Sequence, residues 1–346
     1  MSGYSKPPLA LRLGILAAIL LLLLALPSAA LLWMTAVPGR SWEGPLPPPT
    51  APETALAARL ERHVRAIASV PHNVGHPEAL ARSAAWIEGN LKGLGYQVTS
   101  QQVDDVNGVP VANLEAVVPP ADQKSPSLVV GAHYDSVGDA PGANDNGTGV
   151  AALLEIARAL APLRDRAGLR VRLVFFVNEE PPFFKTGRMG SLVYARRLRA
   201  SGERVQAMLS LETLGFYSDA PGSQHYPWPL GMLYPATGNF VAFVGTVGAR
   251  PLVRRAVGTF RAQTRFPSVG GTAPAFVSGI DWSDHWAFGE QGVPALMVTD
   301  TAPFRYPYYH SAQDTPDKVD YPRLARVTAG LARLVASWAT ISSRPR

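Results

Sequence analysis

The sequence between residues 128 and 211 alternates short apolar runs with helical patterns, and this alternation limits the fold more than any other feature. Residues 128–132 form a continuous apolar run that is typical of a strand buried on both faces, and residues 171–177 and 208–211 are similar. Between them, residues 149–163, with apolar side chains three and four apart, and residues 189–200 indicate helices. This order predicts an α/β domain with parallel strands at its centre.

The flanking segments extend this sheet. Residues 96–103 and 109–118 are β-branched runs joined through Asn107-Gly108, a strong hairpin signal, so we expect antiparallel strands at one edge. Further predicted elements are helices at 53–69, 78–93 and 321–338 and a buried strand at 294–298. The fold class predicted is therefore α/β, with a mixed, mainly parallel sheet flanked by helices on both faces.

Residues 216–280 show a looser pattern. Gly and Pro are dense in the first part of this segment, so we expect long loops over the active face, with one helix at 252–266.

The amino-terminal stretch predicts a membrane segment. Residues 13–37 carry no charge and are long enough to cross the ~30 Å hydrocarbon core. Lys6 and Arg12 precede them, which predicts a cytoplasmic tail and a body on the extracytoplasmic side. The small residues at 28–30 also fit a signal-peptide cleavage site, which would give a secreted protein, but the apolar run continues past them and favours an uncleaved single-pass anchor. The predicted organisation is a tail and transmembrane anchor (1–37), a proline-rich linker (38–52) and a folded domain (53–346).

Composition excludes some partners and ligands. The net charge is +6, but the basic residues are scattered and no basic run is interleaved with aromatic residues, so we do not expect nucleic-acid binding. Cysteine is absent, so a metal ion would have to be held by imidazole and carboxylate groups. The sequence does not define an oligomeric state.

Polar residues interrupt the pattern where the predicted strands end. They are His133 after the strand at 128–132, Glu179 and Glu180 after 171–177, Glu212 after 208–211, and His310 in the loop after 294–298. Each residue alone could be a solvated or capping group. In open α/β sheets, however, ligands bind beyond the carboxyl ends of the strands, so together these residues predict one site.

The residue types suit metal-assisted hydrolysis. A hydrolytic zinc site uses imidazole and carboxylate ligands and keeps an open position for water, and two metal ions can share one carboxylate. Asp145, in a glycine-flanked loop just before a helix, is the natural bridging ligand. Asp135 could orient the imidazole of His133. One of Glu179 and Glu180 can bind metal while the other remains free as a base.

Five motifs resemble a known family in the order in which they occur. GAHYDSV, GANDNGTGV, FFVNEEPPF, LSLETLGF and PYYHSAQDTPDKVD are similar to the co-catalytic zinc aminopeptidase family, which also contains glutamate carboxypeptidase, glutaminyl cyclase and the transferrin receptor ectodomain. The resemblance covers residues 56–338. It implies His133 and Glu180 as ligands of one zinc ion, Asp145 as the bridge, Glu212 and His310 as ligands of the second, Glu179 as general base and Asp135 as the residue that orients His133.

The resemblance implies a membrane-anchored zinc exopeptidase that removes amino-terminal residues from peptides. Family aminopeptidases usually carry Asp where this chain has Glu212, so one zinc ion, as in the glutaminyl cyclases, is the alternative to two. A non-catalytic ectodomain is a further alternative, although every ligand position here is filled. His285 is a rival to His310, but the motif around His310 fits the family better, which leaves Asp284 as a supporting group and His285 as structural.

Overall fold

The computed structural model describes residues 8–106 and 108–340, without the side chains of Asp105 and Val106. Lys6 of the predicted tail and Asn107 of the predicted hairpin turn lie outside the described residues. Contacts divide the chain into an amino-terminal unit, Met1–Ala36, and a body, Val37–Arg346.

The amino-terminal unit contains helix α1 (Leu9–Thr35), which has no buried residue. Among the described residues, it is the one helix long and apolar enough to cross a membrane, with a mean hydropathy of 2.8 over its best window; signal sequences share this property. The helix begins four residues before the predicted apolar stretch and includes Arg12, because no residue between Pro8 and Leu13 interrupts the helical pattern.

The body is built from helices and strands in alternation. Its helices are α2 (Ala51–Ile67), α3 (Pro77–Gly93), α4 (Thr148–Leu160), α5 (Gly190–Ala200), α6 (Arg250–Gln263), α7 (His285–Gly289) and α8 (Tyr321–Thr340). Its strands are β1 (Val98–Val106), β2 (Val109–Val118), β3 (Ser127–His133), β4 (Arg170–Phe176), β5 (Val205–Glu212), β6 (Val241–Thr246), β7 (Ser268–Ala273) and β8 (Ala295–Thr299).

The strands form one sheet in the order β1-β2-β4-β3-β5-β8-β6-β7. Strands β4, β3, β5 and β8 are parallel, whereas β1 and β2 are antiparallel at one edge and β6 runs antiparallel to β8. The predicted mixed, mainly parallel sheet is therefore confirmed.

Helices cover both faces of the sheet because the central strands are apolar on both. On β3, Leu128, Val130 and Ala132 pack in the larger core with α2, α4, α6 and α8, whereas Val129 faces the smaller core with α5 and α7. Successive side chains on a strand point to opposite faces, so an uninterrupted apolar run is required at this position.

Two strands were missed in the segment predicted as loops around a single helix. Strands β6 and β7 flank α6 and pair in parallel, so residues 241–273 extend the sheet instead of lying over it. Gly270 and Gly271 in the middle of β7 lower its strand propensity, and the glycine- and proline-rich loop before β6 hides the start of this unit.

Residues 37–50, the first segment of the body, pack against the rest of the body. Arg261 on α6 donates hydrogen bonds to the carbonyl oxygens of Pro38 and Gly39, at 3.1 and 2.8 Å. The segment ends at Thr50, whose side chain and that of Glu53 form a capping box that begins α2 at Ala51.

Candidate metal centre

The ends of three adjacent strands bring the predicted residues together. His133 is the last residue of β3 and Glu212 is the last residue of β5, which pairs with β3 on one side. Glu179 and Glu180 follow β4, which pairs with β3 on the other side. All four side chains are buried, so the rim of the sheet carries an enclosed polar cluster.

The loop that carries Asp145 is held in place by a second carboxylate. Asp314 accepts hydrogen bonds from the backbone N–H groups of Asn144 and Asp145, at 2.8 and 3.1 Å, and from the Tyr306 hydroxyl at 2.7 Å. Gly142 begins the turn with φ of 71°, and a Cβ atom there would lie 2.6 Å from the Asp145 carbonyl oxygen, so only glycine fits. Asp145 is thus fixed before α4 starts at Thr148.

The two oxygens of Asp145 face different histidines. Asp145 Oδ1 lies 3.3 Å from His133 Nε2, and Asp145 Oδ2 lies 3.1 Å from His310 Nε2. Glu212 Oε2 is 3.3 Å from the same His133 nitrogen, and Glu180 Oε2 is 3.4 Å from the same His310 nitrogen. Two groups of three ligands result, His133–Asp145–Glu212 and Asp145–Glu180–His310, each with its ligand atoms within 4.8 Å of one another.

The two groups that contain Asp145 differ from the pairing that the resemblance implied. The sequence placed His133 with Glu180 and Glu212 with His310. In the structure, β3 and β5 are direct neighbours, so His133 and Glu212 end side by side, while the loop after β8 brings His310 to Glu180. The five residues are the predicted ones, but the sheet order regroups them.

Glu179 occupies a different position from the five candidate ligands. Its carboxylate lies 3.8 Å from His133 Nε2 and can form a third group with His133 and Glu180. It belongs to neither group that contains Asp145, so it can remain uncoordinated beside both.

Asp135 connects the histidine to the glutamate pair. Its backbone carbonyl oxygen lies 3.1 Å from His133 Nδ1, which places the ring proton on Nδ1 and leaves the Nε2 lone pair directed at the cluster. Its carboxylate accepts the backbone N–H groups of Glu179 and Glu180, at 3.1 and 3.2 Å. The carboxylate itself is 3.7 Å from Nδ1, so the main chain orients the ring and the side chain fixes the turn after β4.

The buried acidic groups of this cluster favour the binding of a cation. Burial raises the pKa of Glu179 and of Glu180 well above the ordinary value and that of Glu212 to about 7. Burial lowers the pKa of His133, but the charges of Glu212 and Glu179 outweigh it and raise that pKa well above its usual range. His133 Nε2 and Glu180 Oε1 are also buried without a hydrogen-bond partner. Metal ions would compensate these buried charges, and the mixed imidazole and carboxylate set suits zinc.

Two supporting residues were not predicted. Ser283 donates a hydrogen bond to Glu212 Oε2 at 2.8 Å and lies 2.8 Å from the Ser210 hydroxyl, so it fixes the end of the longer glutamate side chain. Asp314 is the last residue of the sequence HSAQD, which begins with His310. This position, four residues after a predicted ligand, is the one sequence signal that could have identified it.

Three other histidines that the sequence offers as ligands lie outside the cluster. His285 Nε2 is 2.8 Å from the Ile280 carbonyl oxygen, and burial lowers the pKa of this imidazole to about 4. His72 Nδ1 is 3.1 Å from the Val70 carbonyl oxygen, and His76 lies near Asp139. None of the three belongs to a ligand group found among the described residues.

A deep apolar pocket opens beside the cluster. Glu212 and Tyr309 line its inner end, and Tyr309 stacks on His310 with ring centroids 3.8 Å apart. Among the described residues that line it, Glu212 is the one charged side chain. The pocket can therefore accept an apolar group from a molecule bound at the cluster.

Known proteins resemble this chain in sequence and in fold. A model described as peptidase family M28 matches residues 113–335. The uncharacterised protein YfbL of Escherichia coli K12 is 39% identical over 299 residues, which cover 83% of this chain and 90% of that protein. A zinc aminopeptidase from Bacillus subtilis has a similar structure, with a TM-score of 0.65, 16% identity, and coverage of 84% of this chain and 96% of that one. For a glutaminyl cyclase from Porphyromonas gingivalis, the TM-score is 0.59, the identity is 19%, and the coverage is 82% and 98%. At these identities, the two structures show a shared fold.

Proposed function

This chain belongs to peptidase family M28 and is a zinc metallopeptidase, and from this premise we propose that it is an aminopeptidase with a dinuclear metal centre. The position of Asp145 carries the proposal. Its two oxygens face two separate sets of ligands, and a carboxylate shared in this way is the arrangement that holds two metal ions close together.

In the proposed centre, His133, Asp145 and Glu212 hold one zinc ion, and Asp145, Glu180 and His310 hold the other. Zinc would supply Lewis acidity, which polarises a scissile carbonyl group and lowers the pKa of a water molecule. Asp135 holds the turn that places Glu179 and Glu180, and Ser283 holds Glu212.

Glu179 is the proposed general base. It is buried next to both ligand groups and belongs to neither group that contains Asp145, so its carboxylate is free to accept and release a proton. In the proposed reaction it accepts a proton from the attacking water and donates that proton to the nitrogen of the leaving amine. The scissile C–N bond breaks as a new C–O bond forms.

The pocket favours action at the amino end of a peptide. A carboxypeptidase must bind the terminal carboxylate of its substrate, which calls for a cationic side chain, but none occurs among the described residues lining the pocket. The one charged side chain among the described lining residues, Glu212, is acidic and would not attract a terminal carboxylate.

We further propose that helix α1 is an uncleaved anchor and that the body acts on peptides outside the cytoplasm. The length and hydropathy of α1 support this proposal, as do the basic residues Lys6 and Arg12, which precede the uncharged stretch 13–37 in the sequence. Secretion after cleavage of a signal sequence is the alternative. Fractionation separates them, because an anchored chain stays with membranes at high salt and alkaline pH, whereas a cleaved chain is released.

Release of amino acids by the purified full chain tests the proposed activity. With leucine p-nitroanilide, we expect hydrolysis that a zinc chelator abolishes and added zinc restores. A parallel assay with an amino-terminal glutaminyl peptide tests the cyclase alternative suggested by the shared fold. Cyclisation of glutamine without hydrolysis of any aminoacyl-anilide would overturn the aminopeptidase proposal.

A further inference from the structure

The floor of the apolar pocket is a row of residues that crosses four adjacent strands. Glu212 on β5 pairs with Thr299 on β8, Thr299 with Ala242 on β6, and Ala242 with Val269 on β7. All four residues line the pocket. Paired residues on neighbouring strands point to the same face, so the pocket runs continuously from the candidate ligand Glu212 to the edge strand.

A second row confirms this direction. Met297 on β8 pairs with Val244 on β6, and Val244 pairs with Gly271 on β7; these three residues also line the pocket. The floor is therefore two residues wide and consists of small or apolar side chains. Gly271 has no side chain to close the far end.

Loops before β6, after β7 and after β8 form the walls. Pro227, Leu230 and Tyr234 come from the loop before β6, and Val277 and Ile280 come from the loop after β7. Tyr234 donates a hydrogen bond from its hydroxyl group to the Gly270 carbonyl oxygen at 3.0 Å, which fixes the first loop over β7. The described wall residues add no charged side chain, so the lining is mostly apolar.

The length of the pocket exceeds that of a standard apolar side chain. Adjacent strands lie about 4.8 Å apart, so the three steps from Glu212 to Val269 span roughly 14 Å. Three consecutive bonds of an extended chain advance about 3.8 Å, so leucine, with three bonds from Cα to its methyl groups, reaches little beyond the first strand. A linear chain of about eleven bonds would fill the distance.

We propose that this pocket binds a linear hydrocarbon chain on the acyl side of the scissile amide, so that the preferred substrates are amides of lipid-like acids. This inference rests on the proposed function and specifies its substrate class. In the reaction, water breaks the amide C–N bond, the hydroxyl group joins the carbonyl carbon, and the amine leaves with a proton. The chain could be the side chain of a 2-amino fatty acid or a fatty acyl group itself, and both present the same hydrocarbon to the pocket.

A series of p-nitroanilides tests the length. Each methylene removed from water is worth about fourfold in affinity, so kcat/KM should rise at least tenfold from norleucyl to 2-aminodecanoyl anilide. Decanoyl anilide, which lacks the α-amine, distinguishes the two sources. Faster cleavage of the aminodecanoyl compound identifies an amino fatty acid, whereas faster cleavage of the decanoyl compound would support the pocket assignment but overturn the aminopeptidase proposal. A kcat/KM that peaks at leucine or norleucine would overturn the proposal.

Filling the far half of the pocket should remove the preference. Ala242→Trp should lower the ratio of kcat/KM for aminodecanoyl over norleucyl anilide at least tenfold, whereas Ala262→Trp, at an exposed alanine on α6, should leave the ratio unchanged. Val244→Phe serves the same purpose if Ala242→Trp fails to fold, as judged by its unfolding temperature. If Ala242→Trp or Val244→Phe folds and keeps the original ratio of kcat/KM for the two anilides, the inference is contradicted.

Binding of the free acids separates this inference from the proposed function. Calorimetry on the full chain should give at least tenfold tighter binding of 2-aminodecanoate than of norleucine, and Ala242→Trp should remove the difference. If no anilide is hydrolysed but this pattern is found, the proposed activity fails and the pocket assignment stands. If anilides are hydrolysed without any chain-length dependence, the activity stands and the pocket assignment fails.

Discussion

Replacing Asp135 with asparagine tests how the site is held in position. The carboxylate of Asp135 accepts the backbone N–H groups of both Glu179 and Glu180, at 3.1 and 3.2 Å, and Asp135 is buried. Asparagine has the same shape but only one acceptor oxygen, so its NH₂ group must face one of these N–H groups. The variant loses one hydrogen bond to a charged acceptor, which is worth about 1.5–3 kcal/mol.

This loss should appear as weaker zinc binding. Glu180 is a ligand of the proposed centre, and a loss of about 1.5–3 kcal/mol corresponds to a tenfold to hundredfold lower affinity, the range typical of residues that support metal ligands. The measurement is competition for zinc with a fluorescent chelator, together with kcat/KM at rising zinc concentration. Saturating zinc should restore much of the activity of Asp135→Asn.

Asp139→Asn is the matched control. Asp139 lies four residues further along the chain with 94% of its side chain exposed, and its carboxylate is 3.4 Å from His76 Nε2. It should bind zinc like the unmodified chain. If Asp135→Asn also kept the original zinc affinity, the role assigned to Asp135 would be refuted.

Three further predictions concern the base, a ligand support and pH. Glu179→Gln should retain its zinc but lose activity about a hundredfold to ten-thousandfold; undiminished turnover would exclude Glu179 as the base. Ser283→Ala removes the hydrogen bond to the Glu212 carboxylate, so competition with a chelator should show about tenfold weaker zinc binding. A zinc affinity equal to that of the unmodified chain would show that this hydrogen bond is dispensable. Burial raises the pKa of Glu155, but hydrogen bonds from His63 and Arg59 outweigh it and hold this pKa at about 2, below the unfolded value. At pH 7, the free energy of unfolding of the unmodified chain should therefore be about 2 kcal/mol larger than that of Glu155→Gln. Urea titrations should show this difference disappear as the pH falls from about 4.5 to 2, and a difference that stays constant would contradict the prediction.

The central sheet could be predicted because its strands are local apolar runs. Strands β3, β4, β5 and β8 agree with the prediction to within a few residues, since each must be apolar on both faces. Strands β6 and β7 were missed because β7 contains adjacent glycines and β6 follows a glycine- and proline-rich loop. The pocket was missed for the same reason, because its floor depends on these strands.

The candidate ligands could be named from the sequence, but their grouping could not. A residue at the end of a strand is visible as a polar interruption, so His133 and Glu212 were identified. Which of these ends lie side by side depends on strand order, and this order is set by packing between distant segments. The support from Ser283 and Asp314 also depends on contacts between segments far apart in sequence.

Metal content per chain tests the central claim most directly. Elemental analysis of the purified full chain, dialysed against buffered zinc, should give two zinc ions per chain. Asp145→Ala should lose both, because each set of ligands contains Asp145, whereas Glu212→Ala should lose one. Two ions in the unmodified chain with this pattern of losses would confirm the shared centre. One ion per chain, or two that survive Asp145→Ala, would contradict it.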